Sequence, residues 1–196
     1  MSRLLYIAHR LPYPPDKGER VRAYHELQAL AGQFDVTLAA PLGGEQADEH
    51  LAALREICRD VVVAPPGGMP MLRGALALLG GRSVTEAFFA SRTLRKRLIE
   101  LSRDEPFDVA VGYSSSTLPY LLAVRARARV MDLVDADSAK WDQYADASAW
   151  LRRWVYRREA AGVRKLERRA VESCAAVFLV SPAEAAASGL GYTAVQ

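Results

Sequence analysis

Cysteine is nearly missing from this chain: only Cys58 and Cys174 occur in 196 residues. Two cysteines make no disulfide framework, and the metal-ligand spacings are absent, so no metal site is expected. Both read as small buried apolar residues in a reducing compartment. Long apolar runs are also lacking. The stretch Met69 to Gly80 falls far short of the roughly 20 residues that span a bilayer. No cleavable leader precedes Leu4, because Arg3 runs straight into a strand, and the expected location is cytoplasmic. Neither a GxGxxG after the first strand nor a Walker A sequence is present, which weakens the dinucleotide-oxidoreductase and NTPase readings. Repeats and low-complexity segments are absent too.

Neither sign of charge dominates. Lys and Arg number 26 against 23 Asp and Glu, a net +3 with a pI near 9.0. That balance is compatible with anionic ligands or an anionic membrane surface and requires neither; no nucleic-acid partner is expected. Apolar residues at 51% and charged residues at 25% are ordinary globular values, and the length suits one domain over 1–196 with a real core.

What is present is an alternation. Leu4–Ala8, Val36–Ala40, Val61–Ala64, Val109–Gly112, Val130–Val134 and Val177–Val180 are short runs rich in Val, Leu and Ile. Without polar alternation they read as strands buried on both faces, hence a mainly parallel sheet. Helical periodicity falls at about 18–31, 46–58, 92–103, 117–127 and 149–173. The expected fold is a doubly wound α/β Rossmann-like sheet with helices on both faces and strand order 3-2-1-4-5-6. The long excursion after Ala64 should add one or two helices. Ser181 with Pro182 should open a last one, and the tail to Gln196 looks cut.

In such a sheet ligands bind beyond the carboxyl ends of the strands. After the first strand comes HRLPYPPDKG, in which Pro12, Pro14 and Pro15 stiffen the loop and Gly18 admits a close approach. Lys17, Arg20 and Arg22 lie beside a helix amino terminus, a setting suited to the phosphate of a nucleotide or phospholipid. The alternative is a Pro-rich turn with a solvated basic face. His9 and Arg10 stand at the strand end, and His9 is preferred over His25, which lies inside a helix. Tyr113, Ser114, Ser115 and Ser116 follow the fourth strand. In DLVDADSAKW, Asp135 is the best candidate for chemistry, while Asp137 or Ser138 should cap a helix and Asp132 should bond nearby backbone. Trp150 to Glu172 carries seven Arg and one Lys against three Glu, a net +5. It reads as an interfacial helix or as a surface helix laced with Glu/Arg pairs. The SRTLRKRL run from Ser91, containing Arg92–Arg97, raises the same two options.

LLYIAHRLPYPPDKGERVRAYHELQALA, FDVAVGYSSS, ARVMDLVDADSAKW and LERRAVESCAAVFLVSPAEA together carry a likeness. With these motifs the chain resembles the N-terminal domain of GT-B glycosyltransferases of family 4, particularly the sugar transferases of exosortase-type exopolysaccharide systems. The resemblance implies an acceptor-binding lobe of a retaining enzyme that works without a metal or bound cofactor. The nucleotide-sugar donor would be held by a second lobe, through glutamates seven residues apart. Gly18, with Lys17 and Arg20, matches the loop that approaches the donor diphosphate. Asp135 and His9 are the catalytic candidates; Asp135 stands where many members place a histidine. Arg10, Tyr113, Ser114, Ser115 and Asp137 fall to a glycan or lipid-linked acceptor. The chain alone is expected to be inactive as a hexosyltransferase, and peripheral docking on the inner face of the plasma membrane is the finer expectation. A non-catalytic membrane- or partner-docking module is the alternative.

Overall fold

Six short segments form one parallel sheet: β1 (Arg3–Ala8), β2 (Asp35–Pro41), β3 (Asp60–Ala64), β4 (Phe107–Tyr113), β5 (Ala126–Val134) and β6 (Ala176–Leu179). The computed structural model describes residues 1–42 and 47–190. Their order is β3-β2-β1-β4-β5-β6, as expected, so the chain reverses direction across the sheet between β1 and β4. Both neighbours of β1 are in register with it: Tyr6 lies between Leu38 and Val111.

Side chains alternate across a strand, and β1 shows what that does here. Leu4, Tyr6 and Ala8 enter one core layer with Leu38, Ala23 and Leu27. Leu5 and Ile7 enter the other with Leu94, Leu98, Phe107 and Leu121. Leu4 to Ala8 are all buried, which is why the run carries no polar alternation. Helices α1 (Gly18–Ala31) and α2 (Ala47–Ile57) cover the first layer. α5 (Arg92–Leu101) and α8 (Trp150–Ser173) cover the second, through Leu94, Leu98 and Ala170. Each fully buried leucine contributes on the order of 2 kcal/mol of hydrophobic stabilisation. Cys58 is buried, and burial pushes its thiol up to about 12; Cys174 is half-buried.

The excursion after β3 folds as α3 (Pro70–Leu79) and α4 (Val84–Phe89). α9 (Pro182–Ser188) begins as expected, its Ser181 hydroxyl accepting from the Glu184 amide at 3.2 Å. Gln46 and the tail beyond Leu190 lie outside the described residues.

Three expectations need correction. The helix expected over 117–127 is only a 3-10 turn, Ser115–Thr117, and α6 (Leu118–Leu121). Residues 122–125 turn the chain and β5 begins at Ala126, where Arg127 reaches Asp108 on β4 at 3.1 Å and Arg129 satisfies the Leu121 and Val124 carbonyls. Neither Asp137 nor Ser138 caps α7 (Asp137–Asp146); its cap residue is Ala136. Carboxylates from elsewhere take that role: Glu167 accepts from the Ser138 amide at 3.0 Å and Glu184 from the Ala136 amide at 2.7 Å. The expected Glu/Arg pairs along α8 are replaced as well. Arg157 pairs with Asp142 and Asp146, and Arg164 with Asp142, all on α7.

Candidate functional site

The reversal between β1 and β4 opens a cavity of about 260 Å³ at the carboxyl ends of β1, β4 and β5. Its size is just under the roughly 300 Å³ at which small-molecule sites begin. His9 and Arg10 enter it from the end of β1, Tyr113, Ser114 and Ser115 from β4, and Asp135 and Asp137 from β5 and α7. Seven expected site residues are therefore brought together. Lys17, Gly18 and Arg20 are not among the lining residues. Lys17 is exposed and Arg20 turns to Asp16 at 3.0 Å. A Cβ on Gly18 would meet nothing within 4 Å, so packing does not demand a glycine there.

Aromatic contacts hold His9. Its ring stacks on Tyr113 at 6.0 Å and 7° and meets the edge of Phe89 at 5.2 Å. Nε2 lies 3.5 Å from Glu19, and Nδ1 is buried without a hydrogen-bond partner among the described residues. The His9 hydrogen bond and the nearby Arg10 and Arg20 charges hold the Glu19 carboxyl down at about 2, against the opposing effect of burial. Arg10 also reaches Glu19 at 3.1 Å and lies over the Phe89 ring.

Two non-glycine residues on the cavity wall take left-handed backbone, Ser114 with φ 75° and Val134 with φ 67°. Each such residue costs about 1–3 kcal/mol. Compensation is visible: the Ser114 amide bonds the Asp132 carbonyl at 2.7 Å, and the Val134 amide bonds the Asp132 carboxylate at 2.8 Å. Asp132 thus bonds nearby backbone as expected. It is buried and salt-bridged to Arg22 at 2.9 Å. Beneath it, Tyr6 donates to Glu26 at 2.9 Å, and burial with the Asp132 charge raises the Glu26 carboxyl.

Asp135 is ion-paired with Lys140. The Asp137 carboxyl is pushed up to about 6, first by burial and then by Glu167, Asp135 and Glu184, with Lys140 opposing. Its side chain keeps 37% of its surface open to the cavity, so water moderates the effect but does not reverse the direction. The cavity therefore sets the Lys140-paired Asp135 beside an Asp137 carboxyl that holds its proton to higher pH than an ordinary aspartate, so that Asp137 donates a hydrogen bond below about pH 6 and accepts above it.

The same cavity includes Glu19, Thr85, Phe89 and Trp141, which the strand-end reasoning missed. Trp141 lies inside the DLVDADSAKW motif. Its indole, packed on Tyr156 at 5.4 Å and Tyr144 at 5.8 Å, offers an aromatic surface at the cavity edge. Among the described residues no cluster of three or more His, Cys, Asp or Glu is placed to hold a metal ion. No helix among them is long and apolar enough to cross a membrane. No family model, curated protein or solved structure matches the chain.

Proposed function

We propose that this chain is the acceptor-binding lobe of a retaining glycosyltransferase, which moves a sugar from a nucleotide-sugar donor to a glycan or lipid-linked acceptor in surface polysaccharide synthesis. The observation that carries the reading is the cavity at the β1/β4 reversal, where aromatic faces and hydroxyl-binding groups converge. His9, Tyr113, Phe89 and Trp141 supply the faces; Ser114, Ser115, Asp135 and Asp137 supply the hydrogen bonds. Sugars present both an apolar ring face and a rim of hydroxyls, and this lining answers both. In this reading Asp135 and His9 face the reacting hydroxyl. Lys17, Gly18 and Arg20 stand outside the cavity, where a donor diphosphate held by a second lobe would approach.

Reading the encoding gene beyond Gln196 tests the proposal most cheaply. Continuation into a second α/β lobe with paired glutamates supports it, and a stop codon favours a non-catalytic docking module. Radiolabelled-sugar transfer that needs a second lobe is the biochemical form of the same test. One observation favours the docking alternative, or docking as part of the same function. Met71, Leu72, Leu76 and Leu79 on α3, and Trp150 and Leu151 on α8, are all more than half exposed. A peripheral place on an anionic membrane suits these residues with the arginines around them.

A further inference from the structure

We propose that a second cavity, walled by α3, α4 and the start of α5, binds a phosphorylated amphiphile: a phosphate or diphosphate joined to one aliphatic chain. That cavity measures about 970 Å³, close to the upper end of the roughly 300–1,000 Å³ range for small-molecule sites. It is therefore large enough for a lipid-sized molecule rather than a lone ion.

One wall is aliphatic. Met69, Leu72 and Leu76 line the groove and are 70%, 51% and 60% exposed. Such a stripe, left bare to water, forgoes the burial that a chain of CH₂ groups would give. The lining is also cationic. Arg73, Arg82, Arg92 and Arg95 belong to it, and the one acid among the described lining residues, Glu86, is taken by Arg82. Arg92 and Arg95 are exposed and make no ion pair among the described residues.

Arg73 is the fixed point. Its guanidinium donates to the Gly67 and Ala90 carbonyls, each at 2.8 Å, and to the Ala87 carbonyl. Carbonyls orient the group but are neutral, so its charge stays available to an anion. A cavity lined by both guanidinium groups and exposed aliphatic side chains fits neither a plain hydrocarbon nor a free phosphate. It fits a molecule that carries both.

The two cavities share α4. Thr85 and Phe89 face the polar one, while Glu86 and Ala87 face the groove. A chain in the groove would hold its head group beside the sugar-binding side. That the amphiphile is the acceptor rests on the transferase reading; that the groove binds it does not.

The test uses the 196-residue chain and farnesyl phosphate kept below its micelle concentration, followed by equilibrium dialysis. Saturable binding is expected, with farnesol and inorganic phosphate each at least about tenfold weaker, the effect of one lost charge-assisted contact or its apolar counterpart. The R92E/R95E double variant should bind farnesyl phosphate at least about tenfold more weakly and farnesol unchanged. Leu76→Asp should weaken both. Circular dichroism melts superimposable on the unaltered chain confirm that these surface variants fold. Absence of saturable binding, equal affinity for farnesol and farnesyl phosphate, or unaltered binding by R92E/R95E overturns the proposal. If farnesyl phosphate binds as expected but no sugar reaches a prenyl-linked acceptor with the donor lobe supplied, the transferase reading fails and the groove stands. Transfer without farnesyl phosphate binding overturns the groove and leaves the transferase reading in place.

Discussion

Glu159 and Glu167, eight residues apart on α8, close the amino ends of two different helices. Glu159 accepts from the Ser83 hydroxyl at 2.7 Å and from the Val84 and Thr85 amides at 2.5 and 3.0 Å, at the start of α4. Glu167 accepts from the Ser138 amide and hydroxyl at the start of α7. Both carboxylates are buried, and helix amino ends with several donors supply what an opposite charge would otherwise provide.

Removing either carboxylate strands buried donors. Glu159→Ala and Glu167→Ala should each cost about 2–3 kcal/mol in urea unfolding, with Glu159→Gln costing less. Losses within about 0.5 kcal/mol would mean that these are ordinary surface positions.

Gly162 lies one turn further along α8, against the same connection. A Cβ there would meet the Ser83 amide nitrogen at 2.6 Å and the Arg82 carbonyl carbon at 2.9 Å. Glycine to alanine in an exposed helix normally gains about 0.5–1 kcal/mol. Here the backbone clash should reverse the sign, and Gly162→Ala should lose about 1–3 kcal/mol. A raised melting temperature would show that α8 does not pack this closely on α4.

Asp137 gives a pH signature. Its carboxyl moves from an ordinary value of 3.8 to about 6 on folding. Between those values the folded chain keeps a proton that the unfolded chain has lost. Stability therefore falls as pH rises through that window, and the deficit is complete above 6. Asp137→Asn lacks the titration, so its melting temperature should gain on the unaltered chain across the window and hold that gain above it. Parallel melting curves for the two proteins across the window would refute the shift.

On the proposed transferase reading, Trp141→Ala should weaken oligosaccharide binding to the polar cavity by about tenfold, while Trp141→Phe keeps most of it. Chemical-shift mapping with a panel of oligosaccharides would read the loss, and unchanged binding by the alanine variant removes the indole from the site.

Docking has its own readout. On the docking alternative, the unaltered chain should bind anionic vesicles that contain no prenyl phosphate, and Trp150→Ser with Leu151→Ser should release it without altering its unfolding curve. Both residues are exposed, at 80% and 59%, and their loss should cost no core contact. Retention of the double variant on vesicles would place any membrane contact elsewhere.

Much of the fold was legible because burial on both faces leaves a plain mark: an unbroken apolar run such as Leu4–Ala8 has few other readings. The 117–127 stretch misled because LPYLLAV is apolar at helical spacing. The period-two pattern ARARV that follows belongs to β5, which pairs with β4 from Phe107 onward. Strand ends then located His9, Tyr113, Ser114 and Asp135, since chain order and the carboxyl-end rule suffice for them. Glu19, Phe89 and Val163 reach the same cavity through packing between elements far apart in sequence, which no local pattern encodes. The same holds for the caps. Ser138 finds its carboxylate 29 residues away, so a search for a local cap settled on the wrong side chain.

α4 is a single turn and a half of helix, anchored at its start by a carboxylate from α8 and walling two cavities at once. A partition so thin makes the two sides share their volume. Phe89 lines the polar side while Ala87 and Ala90 line the groove, so one short stretch of backbone serves as the wall of both. If ligands occupy both sides as proposed, whatever effect one has on the affinity of the other through this shared turn is returned by an equal factor. Under the two proposals, any competition or cooperation between a sugar and an amphiphile would pass through this one turn, without the two ever touching.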